Sequence, residues 1–189
     1  MFHDTTHPRN HNILDGLGQL CQSLRDFPKA LAYYDQAVGS DPGNIDFLLN
    51  RALTHREKAL HDKQLSIKQK NDFNKDDFQY HLGHSISDLK KSLEISEDNP
   101  KLQYCLGISL YISAQHDKQS GKIYKECVKT LKDALQNHPS VVYEPDLYYH
   151  IGLAYCQQEK FEKAIYPFSK CIEHAGSNLN YHHERAKAY

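Results

Sequence analysis

Small residues recur at a fixed interval along this chain. Gly18 and Ala52 lie 34 residues apart, and so do Gly152 and Ala186; Gly107 stands between them, 55 residues after Ala52 and 45 before Gly152. Two packed helices approach closely only where a side chain is small. A small residue repeated every 34 positions is therefore the mark of one helix–turn–helix unit used several times and stretched in places by insertions. A chain of 189 residues built this way is one domain or one solenoid segment.

The positions around the small residues recur with them. Gly18 is followed by Ala30, Tyr34, Ala37 and Pro42, and Gly152 at the same offsets by Ala164, Phe168, Cys171 and Gly176. Both stretches follow L-G-x2-Y … A-x3-F-x2-A-x4-P with substitutions. Leu17-Gly18 and Ile151-Gly152 open the pattern, and Tyr155 fills the aromatic slot that Cys21 occupies in the first unit. The other two copies are stretched between their first and second helices. Gly107 to Cys127 is 20 residues where the unstretched distance is 12, and Leu131, Ala134 and Pro139 then fall in step; Ala52 to Ser85 is 33, and Leu89, Ser92 and Glu97 follow. On these residues the chain resembles the tetratricopeptide repeat (TPR) family over about residues 10–189. The resemblance implies an all-α, right-handed α–α solenoid of TPR helix hairpins. The expected modules are about 11–44, 45–99 (insertion near 57–78), 100–144 (short insertion near 115–122), 145–178 and a partial unit at 179–189, after a disordered leader at 1–9. The last helix carries small and aromatic positions that call for a partner, so the array is expected to continue or the helix to be covered by another chain.

Asn44, Asn99-Pro100 and Glu144-Pro145 mark helix starts, since proline is tolerated in a first turn. Pro42 and Pro139 mark exits from second helices. The first insertion is rich in Lys, Asp, Gln and Asn, with sparse apolar residues at Leu60, Leu65, Ile67, Phe73 and Phe78. Two conformations fit it equally: a protruding helical hairpin, or a solvated loop.

Composition excludes several functions. With 23 Lys+Arg against 24 Asp+Glu, the net charge of −1 gives no electrostatic basis for nucleic acid or a membrane surface as partner. No apolar run approaches the ~18 residues of a membrane span, and Met1 to Asn10 lacks the apolar core of a signal peptide. The cysteines Cys21, Cys105, Cys127, Cys156 and Cys171 fall at helical positions without a C-x2-C pair, which reads as reduced thiols in a reducing compartment. A cytoplasmic location is expected, with nuclear and ciliary placements left open.

Catalytic and metal chemistry find little support. His3, His7 and His11 recur every fourth residue, but Pro8 interrupts them, and a histidine-bearing leader is the better reading than a metal site. His182 and His183 are adjacent and point apart. No phosphate-binding G-x4-G-K-[ST] and no nucleophile-elbow G-x-S-x-G occurs. No enzyme activity, cofactor or metal is expected.

Function is expected on the first helices, which line the concave face in TPR proteins. The resemblance places Asn12, Asp15 and Gln19 there in the first module. Asp46, Leu49, Asn50 and Leu53 follow in the second, Lys101, Tyr104, Cys105 and Ile108 in the third, and Asp146, Tyr149, His150 and Leu153 in the fourth. The apolar stripe of Leu49, Leu53, Tyr104, Ile108, Tyr149 and Leu153 fits a protein or peptide segment with apolar anchors. Some family members clamp the acidic C-terminal tails of chaperones with Lys, Asn and Arg at set positions. Asn50 and Lys101 match that pattern, but Asp15 and Gln19 stand where the first Lys and Asn would be and Cys105 replaces the Arg, so such a tail is disfavoured. The expected function is a non-catalytic scaffold or adaptor. Alternatives are a recruiting segment of a larger TPR-containing enzyme, or a structural component of a large assembly of ciliary or microtubule-associated type.

Overall fold

A computed structural model describes residues 8–137, 144–175 and 178–189. Among the described residues the elements are all helices: α1 (Pro8–Ser23), α2 (Phe27–Ser40), α3 (Ile45–Gln69), α4 (Lys75–Ile95), α5 (Pro100–Ala114), α6 (Ser120–Asn137), α7 (Glu144–Cys156), α8 (Phe161–Ala175) and α9 (Leu179–Lys187). They fall into two compact units, with the division along the chain between Glu97 and Asp98. The first holds the hairpins α1–α2 and α3–α4; the second holds α5–α6 and α7–α8, with α9 packed on α8. Helix α1 begins at Pro8, so the last two residues of the expected leader are helical, while its first seven lie outside the described residues. Pro139 also lies outside them.

Side-chain caps start the helices. Asn44 Oδ1 accepts from the Asp46 and Phe47 amides (3.1 and 3.3 Å), and Asn99 Oδ1 from those of Lys101 and Leu102 (3.1 and 3.2 Å). Asn178 accepts from the Asn180 amide at 3.0 Å. These bonds satisfy amides that have no partner inside the helix. The turns within the α1–α2 and α7–α8 hairpins also match. Arg25 and Glu159, each seven residues after its module's glycine, both take left-handed backbone (φ 59° and 58°). The next amide in each case reaches back across the turn, Asp26 to the Cys21 carbonyl (2.9 Å) and Lys160 to the Tyr155 carbonyl (3.0 Å).

The glycines show why small residues mark the repeat. A Cβ added to Gly18 would sit 2.6 Å from the Tyr34 ring, and one on Gly152 2.6 Å from the Phe168 ring; one on Gly107 would run into the Leu131 side chain. Tyr34, Phe168 and Leu131 are each fully buried. Every such pair joins the first helix of a hairpin to the second, and the bulky partner sits at the offset where the sequence pattern repeats an aromatic or leucine.

The first insertion is helical on both sides. Helix α3 runs unbroken to Gln69, ends in a left-handed Lys70 (φ 54°), and the chain re-enters helix at Lys75 behind an Asn74 cap (Asp77 N to Asn74 Oδ1, 3.1 Å). The few apolar residues meet one another. Phe78 is buried, Phe73 packs edge-on to it at 5.2 Å between centroids, and Lys63 lies over both rings. Lys58 pairs with Asp62 (2.6 Å) and Asp77 (3.6 Å).

Polar groups tie the first unit together. Arg51 on α3 forms a two-point bond to Asp88 on α4 (Nε–Oδ2 and Nη2–Oδ1, both 2.8 Å) and a third to Asp35 on α2 (2.9 Å). Asp88 is almost wholly buried, and Arg51 supplies the countercharge that makes this tolerable. His55 and His81 meet Nδ1 to Nδ1 at 2.8 Å inside the α3–α4 hairpin, with His84 stacked on His55 at 5.0 Å. Burial, with these histidines and Arg51 beside it, holds the His55 pKa down to about 3; burial likewise lowers His81.

Candidate functional site

The first helices carry the residues expected to bind. In the first unit, Asp15 on α1 accepts hydrogen bonds from Gln19 Nε2 (2.7 Å) and Asn50 Nδ2 (2.8 Å). The amide of Asn50 is thus already spent on a carboxylate of the same chain. Leu53 is half-buried on α3. Leu49 departs from expectation: at 4% exposure it is a core side chain and offers no surface. Helix α3 buries apolar residues over much of its circumference, Phe47 and Leu48 among them. Spacing on the helix therefore could not separate a binding face from a packing face.

In the second unit, α5 is apolar on nearly every side. Leu102, Leu106 and Leu110 are buried, as are Gly107 and Cys105, the residue expected on the binding face. A helix apolar all round is normally buried all round. Here Tyr104, Ile108 and Ile112 are only half-buried, spaced one turn apart, with exposed Lys101 at the head of the row. On α7, half-buried His150 presents Nδ1 to the Asp146 carbonyl at 2.8 Å and turns its ring edge to Tyr111 of α5 at 5.5 Å. Tyr149 and Leu153, expected as exposed anchors, are half-buried and belong largely to packing. Tyr149 touches Phe168 (6.1 Å) and Tyr181 of α9 (5.2 Å), and both residues pack on the cluster of Ala164, Phe168 and Ala188. Burial raises the Tyr149 phenol pKa, as it does that of Tyr111. Contact between α7 and α9 takes surface that the sequence assigned to a ligand.

Two of the buried thiols sit where nucleophilic chemistry is suppressed. Burial pushes Cys127 and Cys171 up to about 12, and each thiol donates to a carbonyl, Gly107 O (3.3 Å) and Pro145 O (3.2 Å). Among the described residues no three His, Cys, Asp or Glu side chains gather in metal-binding geometry. Of the early histidine series only His11 is described in its side chain, and it faces Phe47 edge-on at 6.5 Å. No helix among the described residues is long and apolar enough to cross a membrane.

These features define an all-α protein of serial helix hairpins with a small residue at each close approach. Residues 11–44 match the family model of the tetratricopeptide repeat. The crystal structure of MamA protein superposes on this chain with a TM-score of 0.74 at 20% identity, over 95% of this chain and 80% of that one. A tetratricopeptide repeat protein from Parabacteroides merdae ATCC 43184 gives 0.72 at 16% identity, over 98% and 60%. PilF of Pseudomonas aeruginosa gives 0.65 at 16% identity, over 94% and 67%. No curated protein matches the sequence. Residues 11–44 thus match one tetratricopeptide repeat, and the likeness to these structures shows the fold of the chain, the α–α solenoid of TPR hairpins.

Proposed function

We propose that this chain is a non-catalytic adaptor that holds a protein segment on its first-helix faces. The observation that carries this reading is the row on α5, where Tyr104, Ile108 and Ile112 stay half-buried on a helix that is otherwise core. Tyrosine is a rigid, amphipathic anchor, and an aliphatic residue one turn on extends the apolar floor beside it. Lys101 and His150 supply the polar rim of the second unit. Asn50 and Leu53 present a smaller, more polar surface in the first. An acidic chaperone tail is disfavoured there, because Asp15 repels carboxylate and occupies the amides of Gln19 and Asn50.

The test is peptide selection from a display library, followed by calorimetry on single variants. Tyr104→Ala and Ile108→Ser should each weaken the selected peptide by about 1–3 kcal/mol. Gln19→Ala, on the polar face of α1, should change nothing. Full-strength binding to folded Tyr104→Ala and Ile108→Ser proteins would place the ligand elsewhere.

A further inference from the structure

The second unit holds a cleft that no part of the first-helix reading uses. It has a volume of about 590 Å³ and lies between α6 and α8, with α7 as its floor, within the ~300–1,000 Å³ of small binding pockets. Its α7 residues are Tyr148, Ile151 and Tyr155. Each α-helical residue turns about 100° from the last, so these occupy a different face of α7 from Asp146, Tyr149, His150 and Leu153. Tyr166 of α8 adds a third phenol ring and is 62% exposed.

The charge of this cleft is one-sided. Lys132 enters from α6 and Lys163 from α8, and among the described residues no carboxylate lines it. Lys132 lies over the Tyr155 ring, 5.5 Å from its centroid. Neither lysine has a carboxylate partner among the described residues, whereas Lys170, also on α8, is paired with Glu173 at 2.6 Å. The wall is unusual as well. Pro167 stands inside α8, one turn after Lys163, at a cost of about 3 kcal/mol for an interior proline. Because proline has no N–H, the Lys163 carbonyl lacks its usual donor four residues on.

We infer that this cleft binds an acidic peptide segment that presents one aromatic side chain between carboxylates. The tyrosine rings and Ile151 would take the aromatic group. Lys132 and Lys163 would take the carboxylates on either side of it. The space and its tyrosine walls exceed what an inorganic anion fills, and two unpaired lysines favour an anionic ligand over a neutral one.

The chain contains no tryptophan, which gives a clean assay. The probe is a capped pentapeptide with two aspartates and two glutamates around a central tryptophan, excited where tyrosine does not absorb. Titration of the full chain should shift tryptophan emission to the blue with saturation. The K132E/K163E double variant changes only exposed side chains and should keep its far-UV circular dichroism; it should bind at least tenfold more weakly. The same peptide with asparagine and glutamine in place of its acids should not bind. Tyr104→Ala and Ile108→Ser on α5 should leave the affinity unchanged, which separates this cleft from the proposed first-helix site. Absence of saturable binding, equal binding by K132E/K163E, or equal weakening by the α5 variants would each overturn the inference.

Discussion

Gly152→Ala isolates the constraint that builds each hairpin. The added methyl would lie 2.6 Å from Phe168 Cε1 and 2.7 Å from Cζ, distances that real Cβ atoms essentially never show. Phe168 is fully buried, so its ring cannot swing into solvent. Overpacking of this kind costs about 1–3 kcal/mol. Alanine also gains about 1 kcal/mol over glycine in a helix interior, which would mask part of the cost. Gly83→Ala on α4 supplies the reference, since its Cβ meets nothing within 4 Å. The helix gain cancels in the comparison, and the difference between the two variants should be about 1–3 kcal/mol. Urea unfolding followed by circular dichroism measures it, with hairpins that melt separately fitted separately. Gly152→Ala in a Phe168→Ala background should lose most of its penalty, because a side chain that ends at Cβ leaves room where Leu131 opposite Gly107 would not. Equal effects of Gly152→Ala and Gly83→Ala would refute the claim that close approach at Gly152 sets the hairpin geometry.

Acidification should unfold the first unit early. His55 and His81 have pKa values below the ordinary 6.5, so the unfolded chain binds more protons and stability falls as pH drops below that value. His55 alone should cost about 1.4 kcal/mol per pH unit, or about 2 kcal/mol by pH 5. His55→Gln should flatten the dependence of the urea midpoint on pH, and an unchanged slope would count against a neutral histidine pair. Arg51→Met strands buried Asp88 and should cost about 3–5 kcal/mol, while the double change with Asp88→Leu should recover much of it; a cycle of denaturation curves reads both. Replacing residues 64–74 with a short Gly/Ser linker removes Phe73 from Phe78 and should cost about 1 kcal/mol, with a larger collapse showing that the hairpin tip supports the repeats.

The repeat was legible in the sequence because it depends on pairs at fixed offsets. Gly18 with Tyr34, Gly107 with Leu131 and Gly152 with Phe168 are contacts between neighbouring helices of one hairpin, and the offset survives insertion once the insertion is recognised. The conformation of the stretch around residues 57–78 was not legible. A solvated helix with only Leu60, Leu65 and Ile67 has no continuous apolar stripe, and what ends and restarts the helix is local: left-handed Lys70 and the Asn74 cap. The Arg51–Asp88 and His55–His81 pairs join residues 37 and 26 apart across a hairpin, and no local pattern signals them. The binding face was the least legible. First helices here are apolar on several sides, so Leu49 read like Tyr104 although one is core and the other half-exposed. Tyr149 read as an anchor because its contact with Tyr181 depends on where α9 docks.

The most direct test of a first-helix binding face is site-specific photo-crosslinking in the native cell extract. A photoreactive phenylalanine analogue is placed at Ile108 on α5 and, in a control protein, at exposed Lys129 on α6. The expected result is one discrete crosslinked protein from position 108. Its crosslinked segment, identified by mass spectrometry, should compete as a synthetic peptide and lose affinity to Tyr104→Ala. Crosslinks that form only from position 129, or a position-108 product insensitive to that peptide and to Tyr104→Ala, would contradict binding on the first helices.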